Sequence, residues 1–458
     1  MIPEKFCERM KMLLGDGYGD FAAALEQESV RAVRINETKI SVGDFLGVTE
    51  LSLKPLPYAS YGFIPDSAEG IGRSPEHHAG MFYVQDPGAM ATVPAVDVKK
   101  GWWVLDACAA PGGKSTQLSS LIGEEGFLLA NEYVPKRAKI IVGNMERLGV
   151  RNALVTSLDT AELSRMFSEA FDLVLCDAPC SGEGMFRKYS EATSEWSEEN
   201  VLACAERQAE ILENLAGLVK PDGYLLYSTC TYSLEENEAT VDAFLSAHPE
   251  FSIAPVSEEV SRITADGKLP RESKNEALKL TRRFYPHLSE GEGQYIALLR
   301  KSAEKSSNLK TILYKSAAKS PSKEEISVVE KFFRDSMKSR PAGELIKHGE
   351  YVVLVPHGCP IPPRSVFMAG VTVGEVKKGM LFPHHQLFSA YGGSFKLIES
   401  IRRGDPRIYA YLRGEEIPAV GIGGSGWCSV CYEGVSVGGG KLSGGRIKNH
   451  YPKGLRNK

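Results

Sequence analysis

Trp102-Trp-Val-Leu-Asp-Ala-Cys-Ala-Ala-Pro-Gly-Gly-Lys-Ser-Thr116 is the stretch that decides the fold. Its apolar start, Trp102–Leu105, reads as a buried strand. An acid and a loop of small residues follow, and a helical stretch, Thr116–Ile122, comes next. The pattern repeats downstream. Apolar runs at Phe127–Ala130, Ala153–Val155, Leu173–Cys176 and Tyr224–Tyr227 are mostly separated by stretches of helical period such as Lys136–Leu148 and Val201–Val219. Strand–helix alternation predicts an α/β domain with a doubly wound, mostly parallel sheet and ligands at the carboxyl ends of its strands. Tyr295–Leu299 reads as a further strand, closing the domain near residue 300.

Around this unit the chain is long enough for two to four domains, since its 458 residues compare with roughly 100–200 per domain. With 43% hydrophobic and 24% charged residues it is not disordered, collagen-like or a disulfide scaffold. No run approaches 18 apolar residues, and the start lacks a signal peptide's charged and apolar regions, so a soluble, cytoplasmic protein with no membrane partner is expected. Its nine cysteines are then expected to be reduced. Helical spacing at Lys5–Leu25 and a short strand at Arg31–Asn36 precede a loop rich in Gly, Pro and Ser from about Pro55 to Gly80. The Lys/Ser-rich stretch Lys301–Lys323 reads as a linker. Beyond it lie a helix candidate, Glu324–Met337, and β-type runs at Tyr351–Val355, Phe367–Gly374 and Gly426–Val437. The net charge of −4 conceals an asymmetry: residues 1–300 hold 29 Lys and Arg against 45 Asp and Glu, and residues 301–458 hold 25 against 13. An acidic body with a basic tail suits a polyanionic partner.

The loop after the first strand admits three readings. Gly113-Lys114-Ser115 matches the end of a P-loop, but that motif's first glycine falls at Cys108. The G-x-G-x-x-G of dinucleotide folds is absent. The third reading is an S-adenosylmethionine site, in which the loop wraps the methionine end. It calls for a carboxylate at the end of the second strand to bind the ribose, and Glu132 stands there. Asp159, after the third strand, is placed to bind the adenine amino group.

The fourth and fifth strands end in Cys176-Asp-Ala-Pro-Cys-Ser-Gly182 and Tyr227-Ser-Thr-Cys-Thr-Tyr-Ser233. Adjacent strands aim Asp177, Cys180 and Cys230 into one cleft. Methylating carbon 5 of a pyrimidine needs such a set. That carbon is a poor nucleophile until a thiolate adds to C6, and a base must then remove the C5 proton before the thiolate can leave. One cysteine is required and a second can assist release. Two buried packing cysteines are the plainer alternative.

Ala109-Ala-Pro-Gly-Gly-Lys114, Asp177-Ala-Pro-Cys-Ser-Gly182 and Ser228-Thr-Cys-Thr-Tyr-Ser233 resemble motifs of the Sun-type RNA cytosine-5 methyltransferases. Arg31–Asn36, Tyr83–Pro87 and Arg282–Gln294 resemble that family's outer motifs. Lys448-Asn-His-Tyr-Pro-Lys-Gly-Leu-Arg456 resembles the end of its bacterial RsmF branch, which methylates small-subunit ribosomal RNA. The resemblance implies a Rossmann-like class I methyltransferase core with a seven-stranded sheet, a small α+β N-terminal domain and a PUA-like, β-rich RNA-binding C-terminus. The domains then fall at residues 1–95, 96–302, a 303–322 linker, a small intermediate domain over 323–390, and 391–458. It implies Cys230 as nucleophile, Cys180 as the release-assisting thiol, and Asp177 against the cytosine. Cys108, Ala109, Ala110, Pro111, Gly112, Gly113, Lys114, Glu132, Asp159 and Asp177 would line the S-adenosylmethionine site. DNA cytosine-5 enzymes carry their nucleophile in a Pro-Cys pair like Pro179-Cys180, and spacing alone does not choose between the two thiols; the family match favours Cys230.

Arg187, Lys188, Arg282, Arg283, Lys441, Arg446, Lys448 and Lys453 are candidates for RNA contact, with 16S rRNA or the small subunit as partner and a monomer as the expected state. Cys428-Ser-Val-Cys431 lacks a second ligand pair, so packing is expected there rather than a metal. His77-His78 and His384-His385 are expected at the surface. An inactive RNA-binding assembly factor, or a methyltransferase acting on tRNA or DNA, are the competing functions.

Overall fold

The computed structural model describes residues 2–303 and 316–457. Two helices, Glu4–Leu14 and Tyr18–Leu25, lead into a four-stranded antiparallel sheet ordered Leu53–Leu56, Ala59–Pro65, Ala32–Ile35, Phe82–Gln85.

The next unit is built on parallel strands in the spatial order Ala153–Thr156, Phe127–Asn131, Trp103–Asp106, Phe171–Asp177, Val219–Thr229. Chain order reverses at Trp103–Asp106, so a crevice opens at the carboxyl ends beside that strand. Gln294–Lys301 runs antiparallel against Val219–Thr229, and the position beyond it is shared by Phe251–Ile253 and Arg282–Phe284. The parallel strands are buried on both faces, as their continuous Val, Leu and Phe content requires. Helix boundaries follow local chemistry. Pro135 starts Pro135–Leu148 and left-handed Gly149 ends it, Asp159 caps Thr160–Met166, and Ser197 caps Glu198–Ala216.

The sheet is wider than the seven strands expected. It has ten, and one of them, Val366–Ala369, comes from beyond the linker and pairs antiparallel with Ala153–Thr156. Ile346, Val353, Val355 and Ala369 pack in the same apolar cluster as Leu105, Leu129 and Val174. The segment expected as a small intermediate domain thus contributes an edge strand to the sheet of the catalytic core. It also carries its own four-stranded sheet, from Glu344–His348 to Met380–Pro383, covered by the capped amphipathic helix Lys323–Ser336. Of the expected linker, residues 304–315 lie outside the described residues, while Ala317 already bonds Ile361. The tail forms a five-stranded sheet of Ile398–Ile401, Gly426–Tyr432, Val435–Ser443, Arg446–Asn449 and Ile417–Pro418. Cys428 and Cys431 are buried in it. Among the described residues, no helix is long and apolar enough to cross a membrane.

Two histidine pairs expected at the surface are instead drawn into the junction between this tail and the rest of the chain. His78 bonds the Tyr451 hydroxyl at 2.7 Å, and buried His385 meets the same ring edge-on. Burial pushes His77 and His385 down to about 3, so both are neutral.

Candidate active site

The loop from Ala107 to Gly113 leaves its strand between two neighbours and is tied to both. Ala107 N donates to Leu175 O at 2.9 Å and Ala109 N to Asn131 O at 2.8 Å. Gly112 adopts φ 105°, a conformation L side chains rarely take, at the N-terminus of the Gly113–Ile122 helix. The N-terminal domain grips this helix start through buried Arg34, which donates to Gln85 Oε1 at 3.1 Å, Thr116 Oγ1 at 2.7 Å and Gly113 O at 3.2 Å.

Two cavities open on this loop. One, of 660 Å³, is lined by Glu132, Tyr133, Leu158, Asp159 and Ile211. The other, of 410 Å³, is lined by Arg31, Tyr83, Gln85, Lys114, Lys188 and Gln294. They share Cys108, Ala110, Pro111, Asp177, Met185, Tyr189 and Cys230, so they meet where the two strands with the cysteine motifs end.

At that seam the Cys180 and Cys230 sulfurs lie 3.1 Å apart. The partner sulfur and burial raise the Cys180 thiol well above its ordinary value, and either sulfur can donate across this contact. Gly184 lets the following turn close on the Cys230 loop. Its N–H donates to Cys230 O at 2.8 Å, and a Cβ there would stand 2.6 Å from that oxygen. Asp177 is oriented from both sides: Lys114 Nζ reaches one oxygen at 2.8 Å and Gln294 Nε2 the other at 3.2 Å.

On the larger lobe, Glu132 is buried. Its carboxylate accepts from Val134 N at 3.0 Å and faces Arg137 at 3.3 Å. Asp159 is exposed on the rim and caps the next helix through Ala161 N at 2.8 Å. Asp106, not singled out from the sequence, lines the smaller lobe; it is buried with Ser115 Oγ on one oxygen at 2.5 Å and no protein partner on the other. Burial pushes it up to about 7. An acid ending a buried strand ahead of a glycine loop was the signal available. The larger cavity, carrying acids at successive strand ends, fits a cationic nucleoside-bearing ligand, and the orphaned Asp106 oxygen lies on the adjoining lobe.

The family models agree with this layout. Residues 93–300 match the model described as 16S rRNA methyltransferase RsmB/F, residues 2–87 the N-terminal domain of 16S rRNA methyltransferase RsmF, and residues 399–457 the methyltransferase RsmF PUA domain. The ribosomal RNA small subunit methyltransferase F of Vibrio vulnificus is 33% identical over 99% of this chain and 97% of its own length. That of Aeromonas hydrophila is 31% identical over 95% and 93%. A crystal structure of a methyltransferase homologue from Pyrococcus horikoshii superposes with a TM-score of 0.57, at 30% identity, covering 65% of this chain and 95% of that one. The chain belongs to the RsmF family of 16S rRNA methyltransferases. Its cofactor is S-adenosylmethionine.

Within this RsmF-family chain the cations expected on RNA divide sharply. Arg187 is buried against Glu292 at 2.9 Å and donates to Gly291 O and Ala24 O. Arg282 holds Thr264, Ser261 and Asp266. Arg283 is buried in an ion pair with Glu238, which helps raise its pKa even against burial, and donates to Tyr232 O at 2.8 Å. These three are structural, because carboxylates and backbone carbonyls take their donors, the carboxylates buried for Arg187 and Arg283 and exposed for Arg282. Lys188 pairs with Asp86 at 2.8 Å yet still lines the smaller lobe. In the tail, Lys441, Lys448 and Lys453 are exposed and have no carboxylate within ion-pair distance among the described residues, while exposed Arg446 pairs with Glu416. Lys441 and Lys448 are cross-strand neighbours, with Trp427 next in the same row. Like charges directly opposite each other weaken a sheet.

Proposed function

We infer that this chain methylates carbon 5 of cytosine in small-subunit rRNA through a covalent adduct on Cys230, with the RNA entering the 410 Å³ lobe and the cofactor the 660 Å³ lobe. The observation that carries the reading is the pair of sulfurs 3.1 Å apart where the two lobes meet. Methylation of an exocyclic nitrogen needs no thiol, and two thiols at that seam have no other use in methyl transfer.

Bound S-adenosylmethionine supplies an electrophilic methyl group. Cys108 to Lys114 line its approach, Glu132 offers a carboxylate to the ribose, and Asp159 stands at the adenine end. Asp177, held by Lys114 and Gln294, accepts from the cytosine amino group, and the Lys114 ammonium counters charge that builds on the ring. The Cys230 thiolate forms a bond to C6 and the displaced electron pair makes C5 nucleophilic. After C5 is methylated, a base takes its proton, the C5–C6 double bond returns, and the C6–sulfur bond breaks. Cys180 donates a hydrogen bond to the departing sulfur. The exposed Lys441–Lys448 pair supports a phosphate backbone as what the tail engages, since an anion relieves their repulsion. Nine free thiols suit action in the cytoplasm.

Bisulfite mapping of rRNA from cells with and without the gene tests the reading. The expected result is a protected cytosine in the small-subunit rRNA that disappears in the deletion and is not restored by Cys230→Ala. An unchanged map, with methylated tRNA or DNA lost instead, would assign another polymer.

A further inference from the structure

Beneath the two sulfurs lies a buried polar frame that the methyl-transfer chemistry does not itself use. Glu236, on the wide π-type turn Glu235–Ala239, is fully buried. One oxygen accepts from Ser181 N at 3.0 Å and Gln208 Nε2 at 2.8 Å, and the other from Ser181 Oγ at 2.5 Å. Gln208 Nε2 also donates to Pro179 O at 3.0 Å, and its oxygen accepts from the Tyr227 hydroxyl at 3.0 Å. Both neighbours of Cys180 are thus held by Glu236, one directly and one through Gln208.

Glu183 holds the opposite loop. It accepts from Thr231 Oγ1 at 2.8 Å, Tyr232 N at 2.9 Å and Trp196 Nε1 at 2.9 Å. The hydroxyls of Ser181 and Thr231, each one residue past a cysteine and each donating to its own glutamate, come within 3.0 Å of each other where the two halves meet. Burial raises the pKa of both glutamates. Apolar packing avoids that cost, whereas a satisfied polar network confines the loops it bridges to one geometry.

We propose that Glu236 is a positioning residue for product release, holding Cys180 against Cys230 without touching the RNA. The inference rests on the covalent reading above. A glutamine at 236 keeps an acceptor for Ser181 N and Gln208 but turns an N–H₂ group toward Ser181 Oγ, whose hydroxyl must reverse to accept, and the neutral amide holds the Pro179–Ser181 segment more weakly than the carboxylate. Addition by Cys230 and methyl transfer then proceed, while elimination loses the sulfur hydrogen bond.

The test uses the full-length protein with radiolabelled 16S rRNA transcript and S-adenosylmethionine, resolved on denaturing gels. Glu236→Gln is expected to accumulate a covalent protein–RNA band about ten-fold over wild type and to lose kcat by a similar factor. Single-turnover adduct formation and cofactor affinity should stay at wild-type values, and Glu236→Asp should restore most of the turnover. A folded Glu236→Gln protein that turns over like wild type overturns the proposal. So does one that forms no adduct where Cys180→Ala does. If Glu236→Gln does not fold, Ser181→Ala removes one donor, and its adduct should stand between wild type and Cys180→Ala; wild-type release by that variant overturns the proposal equally. If Cys180→Ala itself traps nothing, the covalent reading falls and the release role of Glu236 falls with it, so the two failures are distinct.

Discussion

The catalytic cleft and the C-terminal sheet hold their cations in opposite ways. Around the cleft, Arg187, Arg282 and Arg283 are engaged by Glu292, Asp266 and Glu238. In the tail, Lys441, Lys448 and Lys453 face water. A cation is available to phosphate only when no carboxylate has already taken it. The body, with 45 acids against 29 bases, is poorly suited to attract RNA by charge, so in the proposed reading the tail recruits the polymer and the cleft handles the base.

The comparison is broken most severely at the sulfurs. Cys230→Ala should lower methylation on the order of 10³-fold or more, with RNA affinity unchanged, because recruitment lies elsewhere. A tritium-transfer assay beside filter binding reads both. Next comes the buried guanidinium. Arg283→Ala leaves Glu238 without its partner in the interior and should cost about 3–5 kcal/mol in urea unfolding, with no change in the salt dependence of RNA binding. The tail gives the converse. Lys441→Ala with Lys448→Ala should raise the KM for RNA roughly ten-fold, leave kcat and stability near wild type, and flatten the slope of log K against log salt by about 1.5–2. If Arg283→Ala lowered the salt slope and the lysine pair did not, the two regions would have exchanged roles.

Much of the core was legible because it is local. A buried strand, a small-residue loop and a helix follow each other within Trp103–Ile122, and the structure places the strand and helix at Trp103–Asp106 and Gly113–Ile122. The strand ends bearing Glu132, Asp177 and Cys230 were readable for the same reason. What stayed hidden depends on pairings across long separations. Val366–Ala369 joins a strand more than two hundred residues earlier, and no periodicity announces that. Arg283 resembles a phosphate contact until Glu238 is placed against it, and Glu236 resembles a solvated acid until Ser181 and Gln208 surround it. Charge is written in the sequence, but its neutralisation is a property of the fold.

The smallest expected effect concerns Asp106, a cleft acid whose proton moves near neutrality. Its pKa is raised by burial to about 7, with the Ser115 hydroxyl opposing the rise, and one of its oxygens lacks a protein partner. S-adenosylmethionine carries a sulfonium and an ammonium, and a cation at the loop the two lobes share favours the ionised carboxyl on the adjoining lobe. The pKa therefore falls on binding, and binding releases a proton whenever the free protein holds one. Affinity should then rise with pH up to and slightly past 7 and weaken in acid, by about ten-fold between pH 8 and pH 6. Calorimetry in two buffers of different ionisation heat measures both the affinity and the proton released. Asp106→Asn should flatten the profile, with affinity at pH 8 reduced toward the wild-type value at pH 6. An affinity that increases in acid, or a profile unchanged in Asp106→Asn, would place the titrating group elsewhere in the cleft.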